Sequence, residues 1–291
     1  MRFCEAFMIR EPVAAGQFYP GSKTALLREV ESLIGKSAKR EDAIGVVSPH
    51  AGYIYSGAVA GATFASIEPK PAYIIMGPNH TGLGERFGLS RSDAWRTPLG
   101  DVKINRALAD AIKRNSKHVK DDDESSSSEH SIEVQLPFLQ VMQKDFKFVP
   151  IVISYAALDI YREIGRSLAK SVKDLNMEKD VTIIASSDMT HYEPHGAARK
   201  KDSVAIEAVL ELDEERLAAD VERLDISMCG YAPTAIMIVA AKILGAKKGR
   251  LVKYRTSGDA SGDYSSVVGY AGIVINRQEN ACSDFSRKNA G

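Results

Sequence analysis

Short runs of apolar and β-branched residues alternate along the chain with longer segments in which apolar residues recur at helical spacing. The short runs predict strands, whereas the longer segments predict helices with one apolar face. Strands are predicted at residues 43–48, 72–77, 146–153, 181–187, 251–255 and 266–275. Helices are predicted at residues 23–34, 59–66, 104–113, 131–143, 160–173, 197–210, 214–224 and 233–244. Because helices separate most of the strands, we predict an α/β fold, a three-layer αβα sandwich with a mostly parallel central sheet.

Three segments depart from this alternation. Pro137 lies inside the predicted helix 131–143, and we expect it to kink or break that helix near its middle. Residues 120–129 read KDDDESSSSE, which is typical of a solvated loop of low complexity. Residues 277–291 are polar and aperiodic, which predicts a frayed tail on a single domain spanning 1–291.

The composition excludes several classes of function. Lysine plus arginine number 38 and aspartate plus glutamate also number 38, so the chain lacks the basic excess that nucleic-acid-binding proteins usually show. No apolar run approaches the roughly 20 residues that cross a bilayer, and the start of the chain has too short an apolar core for a signal peptide. Three cysteines are too few for a disulfide framework. We therefore predict a cytoplasmic protein that binds neither nucleic acid nor membranes.

Polar side chains with chemical potential follow three of the predicted strands. His50 follows the first strand, His80 the second, and Asp188 and His191 the fourth. In parallel α/β sheets, ligands bind outside the carboxyl ends of the strands. If these strands are neighbours, we expect the four side chains to converge on one crevice. Asp188 and His191 are three residues apart, so a helical turn would place them on one face as a base and its orienting partner.

Two further residues are candidates for this crevice. Cys229 precedes the predicted helix 233–244, whose dipole favours a thiolate. His130 either reaches the crevice as an acid or base, or caps the helix that follows it. Two imidazoles, a carboxylate and a thiolate suit iron, copper or zinc and do not suit magnesium or calcium. Taken one at a time, such residues are more often structural, but a cluster of buried polar groups without partners would cost about 1–3 kcal/mol per group.

Other catalytic motifs are missing from the sequence. It contains no phosphate-binding GxxxxGK[ST] loop, no complete dinucleotide-binding glycine fingerprint and no GxSxG nucleophile elbow. A hydrolytic set built from Ser48 or Ser187 with His191 and Asp188 stays a minor alternative, because a serine inside a strand end has no sharp turn to expose it.

Several ordered motifs resemble those of the Memo family, in particular its prokaryotic members. They are Arg10-Glu11-Pro12, GQFYP at 16–20, SPHAGY at 48–53, YSG at 55–57, GPNH at 77–80, EHSIEVQLP at 129–137, SSD at 186–188 with His191, and Cys229-Gly230. The resemblance runs from about residue 10 to about residue 275, nearly the whole chain. It implies a fold like that of the class III extradiol dioxygenases, which are non-heme iron enzymes.

The resemblance also implies a metal pocket. His50, His80 and Cys229 correspond to the family's metal-binding motifs, and Asp188 and His191 are further pocket residues. A radical-SAM protein is a possible partner by family association, whereas no reaction is implied because the family has no settled substrate. The extradiol enzymes bind iron through two histidines and one carboxylate. Because Cys229 replaces that carboxylate here, we do not expect extradiol ring cleavage.

Three functional hypotheses follow. In the first, the protein is a metal-dependent redox enzyme in which His50, His80 and Cys229 hold iron, or alternatively copper or zinc. Asp188 and His191 orient a water or a substrate of unknown identity, and His130 is a possible proton shuttle.

The second hypothesis is a non-catalytic module that binds a peptide or protein in the same crevice. The side chains of Tyr53, Tyr55, Tyr192 and Tyr231 would either contact that partner or pack at the edge of the core. The third is a zinc-dependent hydrolase with the same ligands and Asp188 as the base.

Overall fold

The computed structural model describes residues 7–35 and 39–277, and within these ranges the chain forms twelve strands and nine α-helices. In chain order, strands β1 to β12 are Ile9–Arg10, Ala43–Ser48, Ala72–Pro78, Phe87–Leu89, Ala94–Thr97, Gly100–Ile104, Lys120–Asp121, Lys147–Ile153, Val181–Ser186, His191–Glu193, Lys248–Thr256 and Val267–Asn276. Helices α1 to α9 are Lys23–Ile34, Tyr53–Ala65, Arg106–Asn115, Leu136–Met142, Leu158–Asp174, His195–Leu210, Glu214–Arg223, Tyr231–Ile243 and Gly258–Ser261. Apart from Arg277, the predicted polar tail lies outside the described residues.

Five parallel strands form the centre of the sheet, in the order β6-β8-β3-β9-β2. Strand β3 lies in the middle, pairing with β8 along its whole length and with β9 over five residues. Antiparallel strands extend the sheet beyond this centre, with β12, β11 and β10 on the side of β2. Nearly every residue of the central strands β2, β3 and β9 is buried, as their continuous apolar runs require. The predicted sheet with a mostly parallel centre is confirmed.

Helices cover this sheet in two groups. Helices α3, α5, α8 and α7 pack against one another in that order, and α8 lies on strands β2, β3 and β9. Helices α1, α2 and α4 form the second group, with α2 against β2, β11 and β12. The arrangement is the predicted αβα sandwich. Within residues 7–35 and 39–277, no helix combines the length and the apolar character that crossing a bilayer requires.

The predicted helix 131–143 is divided next to Pro137 into two shorter helices. A short 3-10 helix, Glu133–Gln135, leads directly into α4, which begins at Leu136. Pro137 therefore lies in the first turn, where its missing N–H is not needed for a helical hydrogen bond. The predicted helix 59–66 in turn begins earlier, at Tyr53, immediately after the glycine of the SPHAGY motif.

The prediction that residues 120–129 form a solvated loop is wrong in part. Ser125, Ser126 and Glu129 are buried, and Lys120–Asp121 form the short strand β7 beside β4. The carboxylate of Asp122 accepts a hydrogen bond from the backbone N–H of Ser125. These long-range and local contacts bring a strongly polar sequence into the interior.

A buried ion pair ties the start of the described chain to this segment. The Arg10 guanidinium lies 2.6 Å from the Glu133 carboxylate and donates further hydrogen bonds to the carbonyl oxygens of Ser126 and Glu129. Glu133 also accepts hydrogen bonds from the Tyr19 hydroxyl and from two backbone N–H groups of the N-terminal segment. Every charge in the cluster thus has several partners, which offsets the cost of burying it.

We predict that Arg10→Met lowers the free energy of unfolding by about 3–5 kcal/mol, because it leaves a buried carboxylate without its cation. The matched control is Arg96→Met, since Arg96 forms exposed ion pairs with Asp101 and Glu11. It should lower the free energy of unfolding far less than Arg10→Met does, because solvent screens the exposed pairs. Urea unfolding of the two variants measures the difference, and equal losses would contradict the role given to the buried pair.

Candidate metal centre

The carboxyl ends of β2, β9 and β3 lie side by side because these three strands are adjacent and parallel. Ser48 at the end of β2 pairs with Ser186 at the end of β9. His50, Asp188 and His80 each follow one of these ends by two residues. The adjacency therefore brings three predicted site residues from distant parts of the sequence to one place.

Three potential ligand atoms converge there. The ligand atoms of His50, His80 and Cys229 all lie within 4.8 Å of one another. The Cys229 Sγ is 3.3 Å from the His50 Nε2. A tetrahedral ion with bonds of roughly 2.0 Å to nitrogen and 2.3 Å to sulfur separates two such ligands by about 3.5 Å. Both the donor types and their spacing thus fit a single transition-metal ion.

The loop before α8 places the thiol. Gly230 caps the helix, and a Cβ at this position would lie 2.3 Å from the carbonyl oxygen of Ser186. Only a residue without a side chain lets the loop approach the end of β9 so closely. The backbone N–H of Asp188 donates to the Cys229 Sγ at 3.3 Å, which holds the sulfur beside the strand end.

In the protein without a bound ion, burial and neighbouring charges disfavour the charged forms of Cys229 and His50. Burial raises the pKa of the Cys229 thiol, and the Asp188 carboxylate raises it further. The backbone N–H groups at the helix start lower this pKa, as expected, but burial and Asp188 outweigh them. Burial also lowers the pKa of His50, and His80 and His130 lower it further. A bound cation reverses the balance at the sulfur, because metal binding displaces the proton.

Asp188 and His191 do not form the predicted pair on a helical turn. His191 begins strand β10, and its Nδ1–H donates to the Ser227 carbonyl oxygen at 2.8 Å. Asp188 instead accepts a hydrogen bond from the His50 backbone N–H at 2.8 Å, and its carboxylate lies 4.0 Å from His50 Nε2. The two side chains share no hydrogen bond, although both belong to the described part of the chain. Burial raises the pKa of Asp188, against the effect of the hydrogen bond from His50.

His130 joins the group of imidazoles. Its ring centroid lies 5.0 Å from that of His80, 5.5 Å from that of His50 and 4.2 Å from that of Phe18. Of the two alternatives for His130, the geometry matches the one in which the side chain reaches the crevice. Burial lowers the pKa of His130, although the nearby Glu129 carboxylate opposes this effect.

Two contact residues were not found from the sequence. Glu129 accepts hydrogen bonds from the backbone N–H and the Nδ1 of His80 at 2.8 and 3.0 Å, and Ser186 Oγ lies 2.9 Å from the His50 Nδ1. Burial raises the pKa of Glu129, but hydrogen bonds from His80 and Ser131 outweigh it and lower the pKa to about 2. Glu129 ends a run of polar residues whose composition predicts a solvated loop, so only its place in the EHSIEVQLP motif marks it.

A cavity opens beside the ligand group. It measures about 220 Å³, and its walls include His80, Cys229, Ile153, Tyr155 and Ala232. His50 is only 3% exposed, whereas His80 and Cys229 are partly accessible from this side. A small molecule in the cavity would therefore meet the sulfur and one imidazole directly.

Comparison with known proteins finds relatives along nearly the whole chain. The family model described as Memo-like protein matches residues 10–274. The chain belongs to the Memo family. It is 45% identical over 284 residues to a MEMO1 family protein of Methanopyrus kandleri, covering 93% of this chain and 100% of the relative. MEMO1 family proteins of Pyrobaculum aerophilum and Methanocaldococcus jannaschii are each 42% identical, covering 92% of this chain and 99% of each relative.

The close approach of Gly230 to the end of β9 leads to a testable prediction for this Memo-family protein. Gly230→Ala should lower the free energy of unfolding by about 1–3 kcal/mol, because the added Cβ forces the start of α8 away from β9. Gly196→Ala is the matched control. Gly196 lies near the start of α6 with no atom within 4 Å of an added Cβ, so alanine should be neutral or stabilise by about 0.5–1 kcal/mol. Thermal or urea unfolding compares the two, and a neutral Gly230→Ala would contradict the proposed contact.

Proposed function

We propose that this Memo-family protein binds one transition-metal ion through His50, His80 and Cys229 and uses it in redox chemistry. The observation that carries the proposal is the convergence of two imidazoles and one thiol, with Sγ 3.3 Å from the His50 Nε2, next to an open cavity. A domain with so large a core has no need of a structural ion, which favours a functional one.

Iron is the favoured ion, with copper or zinc as the alternatives. Bound iron or copper would supply one-electron chemistry at a position open to the cavity. A cytoplasmic location would keep the Cys229 thiol reduced and able to act as a ligand. The substrate that this proposal implies is a small molecule or a peptide side chain that fits the cavity.

The surrounding side chains have separate roles in the proposal. Asp188, 4.0 Å from His50 Nε2, would hold a water or the substrate by a hydrogen bond. His191 would do the same from the edge of the site, with its Nδ1 held by Ser227. His130 is stacked on His80 at 5.0 Å and partly exposed, so it would carry a proton between the site and solvent.

The ligand assignment predicts that His50→Ala and Cys229→Ser each lose most of the bound metal. Elemental analysis of anaerobically purified protein measures the content per chain. His118→Ala is the control, since His118 contacts Glu163 away from the site and should not affect the content. Full metal content in both ligand variants would defeat the proposal, provided that both variants fold.

The redox assignment predicts that the identity of the ion decides the activity. After metal removal, protein reloaded with iron or copper should consume dioxygen in the presence of ascorbate, and zinc-loaded protein should not. Cys229→Ser taken through the same reloading is the control; once unbound metal has been removed from both samples by gel filtration, it should show at most a small fraction of the wild-type rate. If instead only the zinc form is active, as an anaerobic hydrolase that depends on Asp188, the third hypothesis replaces the first.

A second candidate function, peptide binding in the crevice, is favoured by exposed aromatic side chains. Tyr155, which lines the cavity, is 67% exposed, and Tyr55 and Tyr192 are 42% and 79% exposed. Tyr53, in contrast, is buried and donates a hydrogen bond to the Val134 carbonyl oxygen, so it belongs to the core. Capture of a peptide that persists after chelation of all metal, together with an absence of turnover, would favour this candidate over the redox enzyme.

A further inference from the structure

The EHSIEVQLP motif has no role in the ligand set, although it lies against it. We propose that residues 129–135, here called the positioning segment, fix the tautomers of both histidine ligands so that each presents a bare Nε2 to the metal. The tautomers are properties of the folded protein. Their consequence for metal affinity rests on the proposed function.

The first half of the argument concerns His80. Its Nδ1 lies 3.0 and 3.2 Å from the two carboxylate oxygens of Glu129. A carboxylate only accepts hydrogen bonds, so the Nδ1 must carry the proton. The Nε2 of neutral His80 is then unprotonated, with its lone pair free. Glu129 is itself held in place by hydrogen bonds from the backbone N–H groups of His80 and Ser131, both at 2.8 Å.

The second half concerns His50 and depends on the single proton of a serine hydroxyl. Ser186 Oγ lies 2.7 Å from the Ser131 carbonyl oxygen, which only accepts, so the hydroxyl proton points there. The Gln135 amide N–H donates to the same Oγ at 2.8 Å. His50 Nδ1, at 2.9 Å from this Oγ, must therefore donate to it as well. The Nε2 of His50 is left unprotonated and faces the Cys229 sulfur.

Both constraints come from one stretch of chain. Glu129 acts on His80 directly, whereas Ser131 and Gln135 act on His50 through Ser186. Gly77 in β3 permits this, because a Cβ there would lie 2.2 Å from the Ser131 Oγ. The segment can therefore lie directly on the strand ends and reach both ligands, and the ion pair between Arg10 and Glu133 fastens it there.

These residues are positioning residues, because they act through the histidines and do not touch the ion. The competing interpretation treats His80, Glu129 and His130 as ligands of a second ion, since their ligand atoms also lie within 4.8 Å of one another. The two interpretations differ in the number of ions bound and in the state of the His80 Nδ1. In the metal-loaded protein, only the positioning role keeps a proton on that atom.

The decisive measurement is the ¹⁵N NMR spectrum of histidine-labelled, metal-free protein, recorded as the pH is raised until the His50 and His80 signals no longer change, so that both imidazoles are neutral. In the wild type, His50 and His80 should both show a protonated Nδ1 and a bare Nε2. Glu129→Gln replaces an acceptor oxygen with an amide donor, so it should mix the tautomers of His80 alone. Ser186→Ala should mix those of His50 alone. A protonated Nε2 in the wild type, or unchanged tautomers in both variants, would overturn the proposal.

Zinc affinity then tests the consequence, with zinc as a redox-inert probe in competition with a chromophoric chelator. Loss of an outer contact to a metal-binding histidine typically costs 10- to 100-fold in affinity, so each variant should bind zinc about 10- to 100-fold more weakly. Glu124→Gln is the matched control, because Glu124 lies five residues away in the same loop with an exposed side chain. Its affinity should equal that of the wild type, and thermal unfolding should show that all variants remain folded.

The two proposals fail in different ways. A wild-type protein that binds no zinc defeats the proposed function, while the NMR tautomers still decide the role of the positioning segment. Wild-type binding of one ion with undiminished affinity in both Glu129→Gln and Ser186→Ala overturns the positioning role alone. Two ions per chain, with the second lost in both Glu129→Gln and His130→Ala, would make Glu129 a ligand and also overturn it.

Discussion

The candidate site depends most on the hydrogen bonds and the ion pair of the buried Glu133 carboxylate. This carboxylate accepts hydrogen bonds from Arg10, from Tyr19 and from backbone N–H groups near the start of the described chain. The same guanidinium of Arg10 also holds the carbonyl oxygens of Ser126 and Glu129. Two segments more than a hundred residues apart are thereby joined above the strand ends. Breaking such a buried ion pair is costly. The polar residues that Arg10 holds, near Ser126, Glu129 and Glu133, therefore keep one arrangement.

This rigidity matters because the centre brings together groups that repel or desolvate one another. Three imidazole rings lie within 5.5 Å of each other, and a partly buried thiol and a buried carboxylate stand next to them. Burial lowers the pKa of His50 and raises those of Asp188 and Cys229, so these three groups are shifted toward their neutral forms. A site of this kind is destabilising by itself and must be held by the surrounding core. Clusters with strongly shifted pKa values mark functional sites more often than structural ones.

The sequence predicts the sandwich well because the central strands are continuous apolar runs, which are buried on both faces. It also finds His50, His80 and Asp188, since each directly follows such a run. It does not show that β9 lies between β2 and β3, because strand order depends on long-range packing. The sequence does not identify Glu129 as a site residue for a related reason. A polar run predicts exposure, and the distant hydrogen-bond partners that allow Glu129 to be buried are not visible in the sequence. The sequence likewise does not predict the raised pKa of Cys229, because it shows the start of the helix but not the burial of the sulfur.

The geometry also explains why a thiol, and not the nearby carboxylate, completes the candidate ligand set. Asp188 is engaged by the His50 backbone N–H, and its carboxylate stands 4.0 Å from His50 Nε2, whereas the Cys229 Sγ stands at 3.3 Å. The sulfur is therefore the atom better placed to share an ion with that nitrogen. A thiolate donates more charge than a carboxylate and favours softer ions, so iron held here would differ in potential from iron held by two histidines and a carboxylate. In the proposed function, this arrangement would leave Asp188 free of the ion and available to a water or a substrate. The carboxyl ends of the central strands would then present a ligand set that contains a thiolate, and the nearby carboxylate would orient the reactant.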